Sequence, residues 1–73
     1  MDTTVQQTLS VNGDVCAFDA SLANVLDKFG VDVAAARGVA VAVNDDIVRK
    51  KDWTTHILNP DDRVEIVTAR QGG

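Results

Sequence analysis

Positive charge is scarce in this chain. Seven lysines and arginines stand against eleven aspartates and glutamates, giving a net charge of −4. A nucleic-acid binder needs a basic stripe, and none is present. An acidic balance suits a partner with a basic docking face. Cysteine occurs once, so no internal disulfide can form. No apolar run approaches the length that crosses a bilayer. The amino end, MDTTVQQT, lacks the basic start and apolar stretch of a secretion signal. These absences point to a reduced, cytoplasmic protein that binds neither nucleic acid nor membrane. Length is also in short supply. A chain of 73 residues makes one domain, with no room for a deep pocket beside a separate catalytic scaffold. The hydrophobic fraction of 45% is nevertheless ample for a folded core.

The apolar residues are arranged in short runs. Thr8 to Val11 and Asp14 to Phe18 alternate around Asn12-Gly13, a pair that favours the positive φ values of a hairpin turn. Leu22, Val25, Leu26 and Phe29 then fall at helical spacing and form one stripe. Ser21 or Asp19 can cap the free N–H groups at its start, and Gly30 can end it in a left-handed conformation. Val39, Val41 and Val43 alternate with Ala40 and Ala42, a pattern expected for a strand covered at least in part on both faces. Asn44-Asp45 reads as a turn, and Ile47-Val48 as a short strand pairing back. Residues 49–62 have no sustained period and end in the turn cluster Asn59-Pro60-Asp61-Asp62. The last strand runs from Arg63 to Thr68, with Val64, Ile66 and Thr68 on one face. One helix with one apolar stripe must lie across a mixed sheet of four to five strands, an α+β two-layer domain.

After Thr68 comes Ala69-Arg70-Gln71-Gly72-Gly73. These five residues offer no side chain to the core, and fully extended they reach roughly 17 Å. The division expected is an amino-terminal extension over 1–7, a domain over 8–68 and a flexible tail over 69–73. A terminal carboxylate is a poor electrophile until it is activated, for instance as an acyl-adenylate that a partner's thiolate or persulfide can attack. Two glycines can thread the narrow channel that such activation requires, because they lack Cβ atoms. Arg70 is a plausible anchor just ahead of them, and the tail segment Arg70, Gln71 and Gly72 would enter partner sites. A frayed end is the bland alternative, since most termini carry no function.

The pieces combine into a family pattern. An apolar strand runs into Ala42-Val43-Asn44, followed by Ile47-Val48 and Trp53. Leu58 then precedes an Asp-rich turn ending in Asp62, the strand Val64 to Val67, and Gly72-Gly73. Together with the opening hairpin and helix, this resembles the ThiS family of thiamine-biosynthesis sulfur carriers from Thr8 onward. The family often has proline where this chain has Arg49, and Gly-Asp where it has Asp61-Asp62. The resemblance implies a ubiquitin-like β-grasp fold with no catalytic residue and no bound cofactor or metal. It implies that the Gly73 carboxylate is adenylated by an E1-like adenylyltransferase of the ThiF type using MgATP, and then converted to a thiocarboxylate. Sulfur would come from a donor such as a cysteine desulfurase and pass to a ThiG-type thiazole synthase. The protein would be a recycled co-substrate. Other readings are a carrier for another pathway, such as the small subunit of molybdopterin synthase, a ubiquitin-like modifier of lysines, or a plain interaction module. In the carrier reading, the face of the sheet away from the helix is expected to dock on the activating enzyme.

The remaining chemistry-bearing residues read as structural. Cys16 is expected as a small core or edge residue. His56 lacks companions at ligand spacing, and Trp53 is expected to plug the end of the core. Asp45, Asp46, Asp61 and Asp62 lack the spacing of a calcium loop and read as solvated turns. Arg49-Lys50-Lys51 reads as a solvated loop.

Overall fold

The computed structural model of the protein describes residues 7–68. The expected tail residues Arg70, Gln71, Gly72 and Gly73 lie outside them, as do residues 1–6. Strands β1 (Thr8–Val11) and β2 (Asp14–Ala17) form the opening hairpin, with Asn12 at φ +52° and Gly13 at φ +87° in the turn. Both positive values match a tight turn whose twist suits the flanking strands. Helix α1 (Leu22–Lys28) follows, then β3 (Val39–Val43), β4 (Asp46–Val48), a single 3-10 turn (Lys50–Asp52) and β5 (Arg63–Thr68). The five strands form one mixed sheet in the order β2-β1-β5-β3-β4. β5 lies at its centre, parallel to β1 and antiparallel to β3.

A helix of seven residues is too short to persist on propensity alone, so its ends and its packing must hold it. Asp19 and Ser21 act in relay rather than as alternatives. The Ser21 N–H donates to Asp19 Oδ1 at 2.9 Å, and the Asn24 N–H donates to Ser21 Oγ at 3.2 Å. At the other end, Gly30 at φ +84° lets its N–H reach the Asp27 carbonyl, while the Val31 N–H reaches Leu26. That double closure satisfies carbonyls the helix would otherwise leave bare. Leu22, Val25 and Leu26 are buried against Leu9, Val11, Val41, Val43 and Val64. Each such side chain contributes roughly 1.5–3 kcal/mol by leaving water.

Three expectations need correction. Phe29 does not complete the helical stripe. It is the C-cap, where the backbone turns out of helical geometry, and it remains 44% exposed. The alanines of β3 are covered less than expected: Ala40 is exposed and Ala42 half-buried, because α1 covers only one face of the sheet. Asp62 is not solvated but buried. Its carboxylate accepts from Asn44 Nδ2 at 2.9 Å and from the Asn59 N–H at 2.8 Å. Asn44 in turn accepts the Arg63 N–H on its Oδ1 and donates its own N–H to the Arg63 carbonyl. The β3–β4 turn and the turn before β5 are thereby locked together.

Trp53 is the plug expected of it, 1% exposed, with Nε1–H donating to the Val48 carbonyl at 2.9 Å. The preceding basic run is more ordered than a solvated loop. It forms the 3-10 turn, and Lys50 Nζ donates to the Ala36 carbonyl at 2.8 Å.

Candidate docking face and tail root

Strand geometry decides what the open face of the sheet carries. Side chains alternate, so the residues between the buried ones point away from α1. Ser10 pairs with Val15 and Arg63, Ala42 with Ile47 and Glu65, and Ala40 with Val67. These residues form one surface. Val15 is 73%, Ile47 70% and Val67 62% exposed, which is unusual for large apolar side chains in a chain this small.

The two alanines of β3 shape that surface. Their small side chains lie between Ile47 on one side and Val67 with Glu65 on the other. The result is a shallow groove of about 250 Å³ lined by Ala40, Ala42, Asp45, Ile47, Glu65 and Val67. Its charged residues are Asp45 and Glu65. Asp45 meets Arg63 at 3.0 Å in an exposed ion pair. The groove therefore has an apolar floor with two carboxylates on its rim, one of them, Asp45, paired with Arg63. Val67 on its wall is followed by Thr68, the last residue of β5, and the chain passes from there directly into residues 69–73. The groove and the end of β5 are thus adjacent.

Among the described residues, the other titratable side chains do not converge on a reaction centre. Cys16 lies on the edge strand β2, half-buried against the core. His56 lies in a polar depression with Asp46, Asp52 and Asn59, and its main-chain carbonyl accepts from the Leu22 N–H. Among the described residues, no three His, Cys, Asp or Glu side chains come together in a way that could hold a metal ion. Also among the described residues, no helix is long and apolar enough to cross a membrane. Asp19 has its carboxyl held below the usual carboxylate range. The cause is chiefly the Ser21 N–H, which outweighs the opposing desolvation, with Asn24 and Lys28 adding to the lowering. That is the chemistry of a helix cap and not of a catalytic acid.

Sequence reasoning missed two features here. Asn12 was expected only to make a turn, yet its side chain bonds Ile66 on β5. The groove depends on which face α1 covers, and no local pattern reports that.

The crystal structure of the thiamine biosynthesis protein ThiS from Geobacter metallireducens superposes with a TM-score of 0.69 at 24% identity, covering 90% of this chain and 99% of that one. At that identity the likeness establishes the β-grasp fold. No curated protein matches the sequence. The sequence model of the ThiS family, however, matches residues 9–73, which is nearly the whole domain and runs through both terminal glycines. The chain belongs to the ThiS family of small sulfur carriers, which are not themselves catalysts.

Proposed function

We propose that the protein carries sulfur as a thiocarboxylate on Gly73 for assembly of the thiamine thiazole ring. The observation that carries this reading is the family match extending through Gly72-Gly73, separated by three residues from the end of the central strand β5. The groove beside the end of that strand supports it, because an activating enzyme must grip the domain while the tail enters its site.

The chemistry follows from the weak electrophilicity of a carboxylate. A Gly73 carboxylate oxygen attacks the α-phosphorus of MgATP held by an E1-like, ThiF-type adenylyltransferase, and pyrophosphate leaves. A persulfide, charged by a donor such as a cysteine desulfurase, attacks the acyl carbon and displaces AMP. A second thiol then cleaves the sulfur–sulfur bond, leaving the thiocarboxylate on Gly73 and a disulfide on the partner. A ThiG-type thiazole synthase accepts the sulfur, and the carboxylate is regenerated. Gly72, Gln71 and Arg70 thread the tail, with Arg70 as the side-chain anchor. Ordering that tail costs conformational entropy, and docking through the open face offsets it.

The test is ATP–pyrophosphate exchange with the E1-like partner, comparing the full chain with a form lacking Gly72 and Gly73. The full chain is expected to support exchange and the shortened one to be silent. Equal exchange by both would refute activation at the tail. The acceptor is tested separately in a deletion strain. Thiamine alone should restore its growth, whereas a requirement for molybdopterin would move the carrier to that pathway.

A further inference from the structure

β1 ends at Val11, but its pairing with β5 does not. In a parallel ladder every second residue donates its N–H to one side of its partner and accepts on the other. Asn12 still does the first, donating its N–H to the Val64 carbonyl at 2.8 Å. At φ +52° the chain is already turning toward β2, which takes the main chain away from the next rung. The side chain makes that rung instead. The Ile66 N–H donates to Asn12 Oδ1 at 2.8 Å, and Asn12 Nδ2 donates to the Ile66 carbonyl at 3.3 Å. One side-chain amide thus stands in for the two main-chain groups that a longer β1 would have supplied. Ile66 is the last but two of the residues in β5, immediately before the groove residue Val67.

We propose that Asn12 is a positioning residue for the carrier's tail. β3 holds one edge of β5 through Val39 opposite Thr68, and Asn12, by pairing with both main-chain groups of Ile66, fixes the other edge beyond the reach of β1. The segment that follows Thr68 then sets out from a fixed point beside the docking groove. This inference rests on the reading of Gly73 as the activated carboxylate. It differs from a turn-forming role in a way that can be measured. Asparagine tolerates positive φ, but glycine tolerates it better. If the turn were all that mattered, Asn12→Gly would be harmless.

The experiment compares the full-length wild type, Asn12→Gly and Asn12→Asp in pyrophosphate exchange with the E1-like partner and MgATP, alongside amide hydrogen exchange. In Asn12→Gly the Ile66 amide should exchange about tenfold faster or more. Its kcat should fall roughly fivefold while KM for the carrier stays within about twofold, since the docking face is untouched. Asn12→Asp still accepts the Ile66 N–H and should recover part of both losses. Wild-type kcat in Asn12→Gly, with or without faster exchange at Ile66, overturns the inference and leaves the carrier reading intact. No pyrophosphate exchange by the wild type itself overturns both.

Discussion

Single residues carry much of this small fold, and Asp62 shows how. Its buried carboxylate closes two turns at once, through Asn44 and the Asn59 N–H. Asp62→Ala leaves both donors without a partner and should cost about 2–3 kcal/mol in denaturant unfolding. Its neighbour Asp61 gives the opposite expectation. It sits at φ +70°, a conformation that costs a side-chain-bearing residue energy and glycine almost none. The resembling family often has glycine there. Asp61→Gly should leave stability unchanged or raise it by up to about 1 kcal/mol, and a clear loss would show that the aspartate side chain contributes. Asp19 supplies the pH dependence. Its folded carboxyl titrates below its ordinary value of 3.8, so the stability it adds is complete above that value and is lost as pH falls through the folded one. Asp19→Asn should flatten that part of an acid unfolding curve.

At the scale of elements, local chemistry was legible and tertiary coverage was not. The bounds of β1 and β5 follow from alternation and from the turn residues beside them. Gly30 and Ser21 mark the helix ends because left-handed closure and capping are local events. Phe29, the alanines of β3 and Asp62 were misread because their burial depends on what packs over them, which spacing does not encode. The Asn12–Ile66 pair, 54 residues apart in sequence, could not be seen in either segment alone. The expected tail lies outside the described residues, and the family match through Gly73 is what supports it. Trp53 tests the element scale. It pins the segment after β4 to the Val48 carbonyl. Trp53→Phe keeps most of the apolar contact but strands that carbonyl, so a loss of about 1–3 kcal/mol is expected in thermal or denaturant unfolding.

The molecule as a whole has one sheet face covered by the helix and one left open, and the proposed function assigns docking to the open one. The helix side holds the buried core, and the open side presents Val15 on the β2 edge and, across the sheet, a groove walled by Ile47 and Val67 with carboxylates on its rim. Val67 is exposed, so Val67→Lys should change stability by less than about 1 kcal/mol. It places a cation and a long side chain on the groove wall, facing a partner expected to be basic. KM for the carrier in the activation reaction should rise about tenfold or more. Unchanged KM would place the docking surface elsewhere.

The central claim is that sulfur replaces oxygen on Gly73. The direct measurement is the mass of the purified full chain after incubation with the E1-like partner, MgATP and a persulfide donor, followed by fragment mapping. The account predicts a species heavier by the exchange of one oxygen for one sulfur, located at Gly73 and absent without ATP. A chain that remains unmodified under these conditions would contradict it. So would the gain of a whole sulfur atom on Cys16, or an isopeptide bond from Gly73 to a lysine.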